Sequence, residues 1–140
     1  MDTHGNSFGR RALVSLLMMT ALTATPALAT EWEHCSDGAG AASFDFLAGD
    51  GTGVLSINQI NVSAGDKVWA SSEASGPGEP VSVGQAFEDD HMILIDAMDK
   101  DFVKIAELRL FKTGEADTLV YAGTLHIPGI GAWAVSCDGQ

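Results

Sequence analysis

Two cysteines constrain this chain more than any other feature. Cys35 and Cys137 stand 102 positions apart in 140 residues, so a bond between them would tie together the two ends of whatever folds between. In an exported chain an isolated pair is read as one disulfide. Two free thiols or a shared metal are the alternatives, but the chain has no Cys-x-x-Cys and His34 is a single neighbouring ligand. In the chain-entropy model a closed loop of this size contributes about 4 to 5 kcal/mol, a large share of the stability of a small domain.

The N-terminal residues read as an export signal. A polar stretch ending in Arg10-Arg11 precedes the apolar run Ala12 to Leu28, and Ala27 and Ala29 form a small-x-small cleavage pattern. Residues 1–29 are therefore expected to be a cleaved signal peptide and 30–140 a single β domain, periplasmic or extracellular. Thr20, Thr23, Thr25 and Pro26 break the apolar run short of the ~20 residues that a spanning helix needs, so no stable membrane anchor is expected. Arg10-Arg11-Ala12-Leu13-Val14 also fits a minimal twin-arginine pattern, which leaves the export route open.

Charge limits the partners. Taking Asp2, Arg10 and Arg11 away with the signal leaves 5 of the 7 Lys+Arg and 18 of the 19 Asp+Glu, a difference of −13. A chain this acidic repels nucleic-acid phosphates and anionic membrane surfaces, and any charge-driven partner should be basic. Acid also keeps a small exported protein soluble whether or not it binds anything.

The mature part reads as short strands. After the acidic-aromatic entry Glu31 to Cys35 and the Gly/Ala-rich loop Ser36 to Ala42, Phe44 and Phe46 alternate inward. Gly49, Gly51 and Gly53 make a turn; without a following Gly-Lys-Ser/Thr and a helix they are no phosphate loop. Val54 to Val62 changes face between Ile57 and Ile60, which implies a bulge near Asn58-Gln59, and Lys67 to Ala70 returns beside it. Glu73 to Pro80 is read as a long surface loop. Val81, Val83 and Phe87 form one face of the next strand, and Met92 to Ile95 is apolar on both faces. Phe102 to Phe111 suits either a strand or a helix with Lys104 and Glu107 on its polar side; its close neighbours favour a strand. Lys112 to Asp117 is read as a turn. Leu119 to Ile127 alternates, with Gly123 where another backbone approaches, and Trp133, Val135 and Cys137 close the chain.

The expected fold is all-β: a small antiparallel up-and-down barrel of about eight strands, or alternatively a two-sheet sandwich. The barrel is preferred because a disulfide between terminal segments would set first and last strands side by side, and closure removes sheet edges.

No catalytic, cofactor or metal motif is written locally. His91, Met92, Met98 and His126 are soft copper ligands by type, but lie at strand and turn positions that explain them. Asp96, Asp99 and Asp101 begin like a calcium loop, yet Val103 stands where the third ligand belongs. Asp96 lies inside an apolar run and needs a partner, for which Arg109 or Lys104 is available, so Asp96 and Arg109 are expected to form a buried ion pair. Trp69, Phe87 and Trp133 could line a ligand. These features favour a non-enzymatic binding protein, of protein-binding or inhibitor-like type in the cell envelope, using its acidic surface and the loop Glu73 to Pro80. The alternatives are a carrier of a small apolar ligand within the barrel and a small acid-base hydrolase using Asp96 or His126.

Overall fold

The computed structural model describes Met1 and residues 31–49 and 55–139; the expected signal peptide and the turn glycines Gly51 and Gly53 lie outside them. Ten strands form one sheet. In chain order they are β1 Glu31–Ser36, β2 Ala42–Gly49, β3 Ser56–Ala64, β4 Lys67–Ala70, β5 Glu79–Pro80, β6 Ser82–Glu88, β7 Met92–Met98, β8 Lys104–Glu115, β9 Thr118–Ile127 and β10 Gly131–Gly139. Their order in the sheet is β5-β4-β3-β2-β1-β10-β9-β8-β7-β6, a meander whose terminal strands pair with each other. The sheet curls into a nearly closed barrel: β5 and β6, the two ends of its order, are joined through Val81, and the gap in the ladder lies where β6 runs beside β3 rather than at the chain ends. No helix among the described residues is long and apolar enough to cross a membrane.

Ten strands, not about eight, correct the sequence reading for two physical reasons. β1 carries its carboxylates Glu31 and Glu33 on the inward side near the barrel mouth and Trp32 and His34 outside, so hydrophobic alternation does not mark it. β5 is two residues long, pairs parallel with β4 (Trp69↔Glu79, Ala70↔Pro80), and contains a proline that an edge tolerates.

Period-2 alternation builds the core. Phe44 and Phe46 of β2, Ile60 and Val62 of β3, Ile95 of β7, Leu108 of β8 and Leu125 and Ile127 of β9 all point inside and are buried. Each contributes about 1.5 to 3 kcal/mol by leaving water. On the terminal pair, Cys35 faces Cys137 in register and the two are bonded.

Bulges fix which side chains turn outward. Between β2 and β3 the pairing steps from Leu47↔Gln59 to Ala48↔Ile57, so Asn58 is the extra residue, where the change of face had implied one. A second step, from Val83↔Ala97 to Gln85↔Asp96, leaves Gly84 as the extra residue of β6. That step reverses the expected direction of Phe87, which pairs with Leu94 on the outer face and is 45% exposed. Phe102 to Phe111 is strand from Lys104 onward, and β8 runs on to Glu115, through residues read as a turn. β8 and β9 overshoot the core there as a ladder of polar and exposed residues, so pattern alone does not reveal it. Gly123 lies under the backbone of β8: a β-carbon on it would collide with the Arg109 carbonyl oxygen.

Candidate binding surface

The loop after β4 is built by serines. Ser71 donates its N–H to the Ile60 carbonyl (3.0 Å) and accepts the Ile60 N–H on its hydroxyl (2.9 Å), which pins the point where the chain leaves the sheet. Ser72 caps a single 3-10 turn, Glu73–Ser75, by accepting the Ser75 N–H. The Ser75 hydroxyl donates to Gln59 Oε1 (2.8 Å), and the Asn61 side-chain amide donates to the Ser75 carbonyl. Gln59 and Asn61 lie on the outer face of β3, so the sheet holds the loop from beneath. Pairing of β5 with β4 fixes the return, with Gly78 so close to Ala70 that a β-carbon would come within 2.9 Å of its nitrogen. The result is a shaped loop around a concavity of about 550 Å³, lined among others by Ser72, Glu73, Pro77 and Pro80. Glu73 and Glu79 are exposed on it.

A groove of about 300 Å³ adjoins the loop, lined by Trp32, His34, Asp45, Asn61 and Ser75. His34 and Asp45 are cross-strand partners on β1 and β2, and His34 Nδ1 lies 2.5 Å from Asp45 Oδ1. Burial holds the Asp45 carboxyl above its ordinary range, and the imidazole beside it offsets this only in part. The pair orients a half-exposed imidazole. The Ser75 hydroxyl, which lines the same groove, is hydrogen-bonded to Gln59 and Ser72. No local motif marks His34 and Asp45 as a pair, because they become neighbours only through the β1–β2 register.

Asp96 is buried, 5% exposed, yet it lies on the outer side of the barrel, beneath longer side chains. Arg109 Nη2 is 2.6 Å from its Oδ1, a close charge contact off the line of a hydrogen bond, and Lys104 Nζ is 2.9 Å from its Oδ2. Lys104 also reaches Glu107 at 2.5 Å, and His126 Nδ1 stands 3.3 Å from the same carboxylate. Lys104 and then His126 hold Glu107 below the usual carboxylate range. Asp96 and Glu107 are cross-strand partners of like charge, bridged by Lys104 and Arg109 of β8, with His126 of β9 opposite Glu107.

The three aromatics that could line a ligand are not brought together. Trp69 is in the core, Phe87 faces outward, and Trp133 packs its ring over Gly131 beside a groove at the turn end of the barrel. The cavity at the opposite mouth, between Glu33, Phe46, Leu55, Glu88 and Tyr121, measures about 70 Å³. Burial and then the charges of Glu31 and Glu88 raise the Glu33 carboxyl. Among the described residues no three His, Cys, Asp or Glu side chains converge as a metal site. Asp99, of the calcium-like run, instead closes a hairpin by accepting the N–H groups of Asp101 (2.8 Å) and Val103 (2.9 Å).

No protein family, curated protein or solved structure matches this chain.

Proposed function

We propose that the chain is an exported, acidic, non-enzymatic binding protein of the cell envelope that holds a basic protein partner against the loop Glu73 to Pro80. The observation that carries this reading is the loop's preorganisation. Its serines, Gln59, Asn61 and the β4–β5 pairing hold it in one shape before any partner arrives, which lowers the ordering cost of binding. Glu73 and Glu79 give it the sign that a basic surface would meet. The Cys35–Cys137 bond suits an oxidising, exported location.

The other two readings receive less support. A ligand in the mouth would have about 70 Å³, against the ~300 to 1,000 Å³ typical of ligand pockets, while the core is filled by the protein's own side chains. Asp96 and His126, the residues considered for acid-base catalysis, are engaged by Arg109, Lys104 and Glu107.

The test is capture of envelope proteins on the immobilised chain, with a Glu73→Lys/Glu79→Lys variant beside it. Retention should fall as ionic strength rises from about 0.05 to 0.5 M, and should fall in the variant at low salt. Retention indifferent both to salt and to the charge reversal would overturn the reading.

A further inference from the structure

The β7–β8 hairpin tip, Asp99 to Val103, combines three properties that the fold does not explain. Phe102 is 82% exposed and Val103 57% exposed. Phe102 has φ 59°, the left-handed region that glycine enters freely and a β-carbon disfavours. The tip is also tightly held: the Asp99 carbonyl accepts the Phe102 N–H (3.1 Å), the Asp99 N–H donates to the Val103 carbonyl (2.9 Å), and the Asp99 carboxylate accepts two further backbone N–H groups. Among the described residues the other non-glycine with positive φ, Ala116 at the β8–β9 turn, meets the same backbone demand with a methyl group. At position 102 glycine would serve the turn better and a polar residue would serve solubility better. Neither the turn nor the core accounts for a benzyl group there.

We infer that this tip is an aromatic anchor, which inserts Phe102 into an apolar pocket, rimmed by basic groups, on a protein partner. The inference deepens the binding reading above and rests on it. Place supports it: Asp99 and Lys100 line a shallow groove of about 230 Å³ together with Pro80, Val81 and Ser82, so the tip adjoins the end of the preorganised loop. One partner can touch both. Charge selects the occupant: the tip carries Asp99 and Asp101, its one cation, Lys100, is tied to Asp101 at 2.7 Å, and Glu79 stands on the neighbouring loop. Anionic membrane headgroups and a second copy of so acidic a chain would be repelled, whereas a basic rim would be drawn in. A rigid aromatic buried at the centre of such a contact is the type of residue that dominates interface energetics.

The test places a benzophenone photo-crosslinking amino acid at position 102, at Pro77 in the loop, or at Phe111 on the barrel wall, in the full chain expressed in its own host. Irradiation should give the same partner adduct from 102 and 77 and none from 111. Added wild-type protein should compete it away, while Phe102→Gly, with a raised thermal midpoint, should compete at least tenfold more weakly. Mass spectrometry should identify a protein with a basic surface. An adduct from 77 alone, or equal competition by Phe102→Gly, overturns the anchor and leaves the loop reading standing. Adducts to lipid or to the chain itself at 102 also overturn it, and no adduct from either position removes both.

Discussion

The barrel is closed differently on its two sides. Where β1 meets β10, antiparallel pairs run from Glu33↔Gly139 to Ser36↔Ser136, and the Cys35–Cys137 bond crosses the same ladder. Where β6 lies beside β3 no ladder joins them; the run that begins at Glu79 is tied to short β4 only by the two-residue β5 and by the Val81 N–H, which donates to the Ala70 carbonyl at 3.2 Å. One side is covalent and regular, the other held by a capped loop, a two-residue strand and a bulge at Gly84. The difference shows where such a fold can host recognition. A loop inserted in the sealed ladder would break paired backbone, whereas at the gap the chain is already leaving the sheet, so a shaped loop costs no ladder hydrogen bonds.

Four changes would sharpen or break that contrast. The largest effect is expected on the sealed side. Replacing both cysteines, Cys35→Ser with Cys137→Ser, should lower stability by about 3 to 5 kcal/mol in chemical denaturation, because the loop that the bond closes is nearly the whole folded chain. A loss under ~1 kcal/mol would mean that the β1–β10 ladder seals the barrel unaided. Next is Gly123→Ala in β9, where a β-carbon would collide with the Arg109 carbonyl of β8. The backbone must move, and a loss of about 2 to 3 kcal/mol is expected. A neutral result would show that the β8–β9 ladder yields more easily than its regular pairing suggests.

Toward the gap, Asp96→Asn removes the charge that Arg109 and Lys104 share. A loss of about 1 to 3 kcal/mol is expected, with the circular dichroism of the folded state unchanged. An unaltered melting curve would reduce the ion pairs between Asp96 and its two cationic neighbours to surface decoration.

The smallest effect concerns the mouth. Burial and the neighbouring Glu31 and Glu88 raise the folded-state pKa of Glu33 above its ordinary value, so the folded chain binds that proton more tightly than the unfolded chain does. Ionisation therefore costs stability as pH rises through the raised value, and the cost fades as pH falls below the ordinary carboxylate range. Glu33→Gln should melt slightly higher than the wild type at pH 7 and level with it near pH ~3.5. A gain of equal size at both pH values would place the effect in packing, not in charge.

Much of this architecture is legible in the residues. Alternation at Phe44 and Phe46, Val81 and Val83, and Leu125 and Ile127 states which side chains seek a common interior, because period 2 is the geometry of the strand itself. The cysteine spacing states that the ends meet, and Gly123 marks a close backbone approach. The binding surface is less legible. Glu73 to Pro80 can be read as a loop, but its shape depends on Gln59 and Asn61, which become its supports only when β3 lies beneath it. His34 and Asp45 share a groove through strand pairing. Phe87 follows the inward pattern of its strand until the bulge at Gly84 turns it out.

The sequence by itself determined an all-β chain with one disulfide between its ends and a strongly acidic balance, because periodicity, cysteine number and charge belong to the chain before it folds. Only the tertiary structure decided that the gap lies between β3 and β6, that Asp96 is buried on the outer side beneath Arg109 and Lys104, and that Phe102 is held out at a tip beside the loop. These depend on register and on single-residue bulges, where one unpaired residue moves every side chain beyond it to the opposite face.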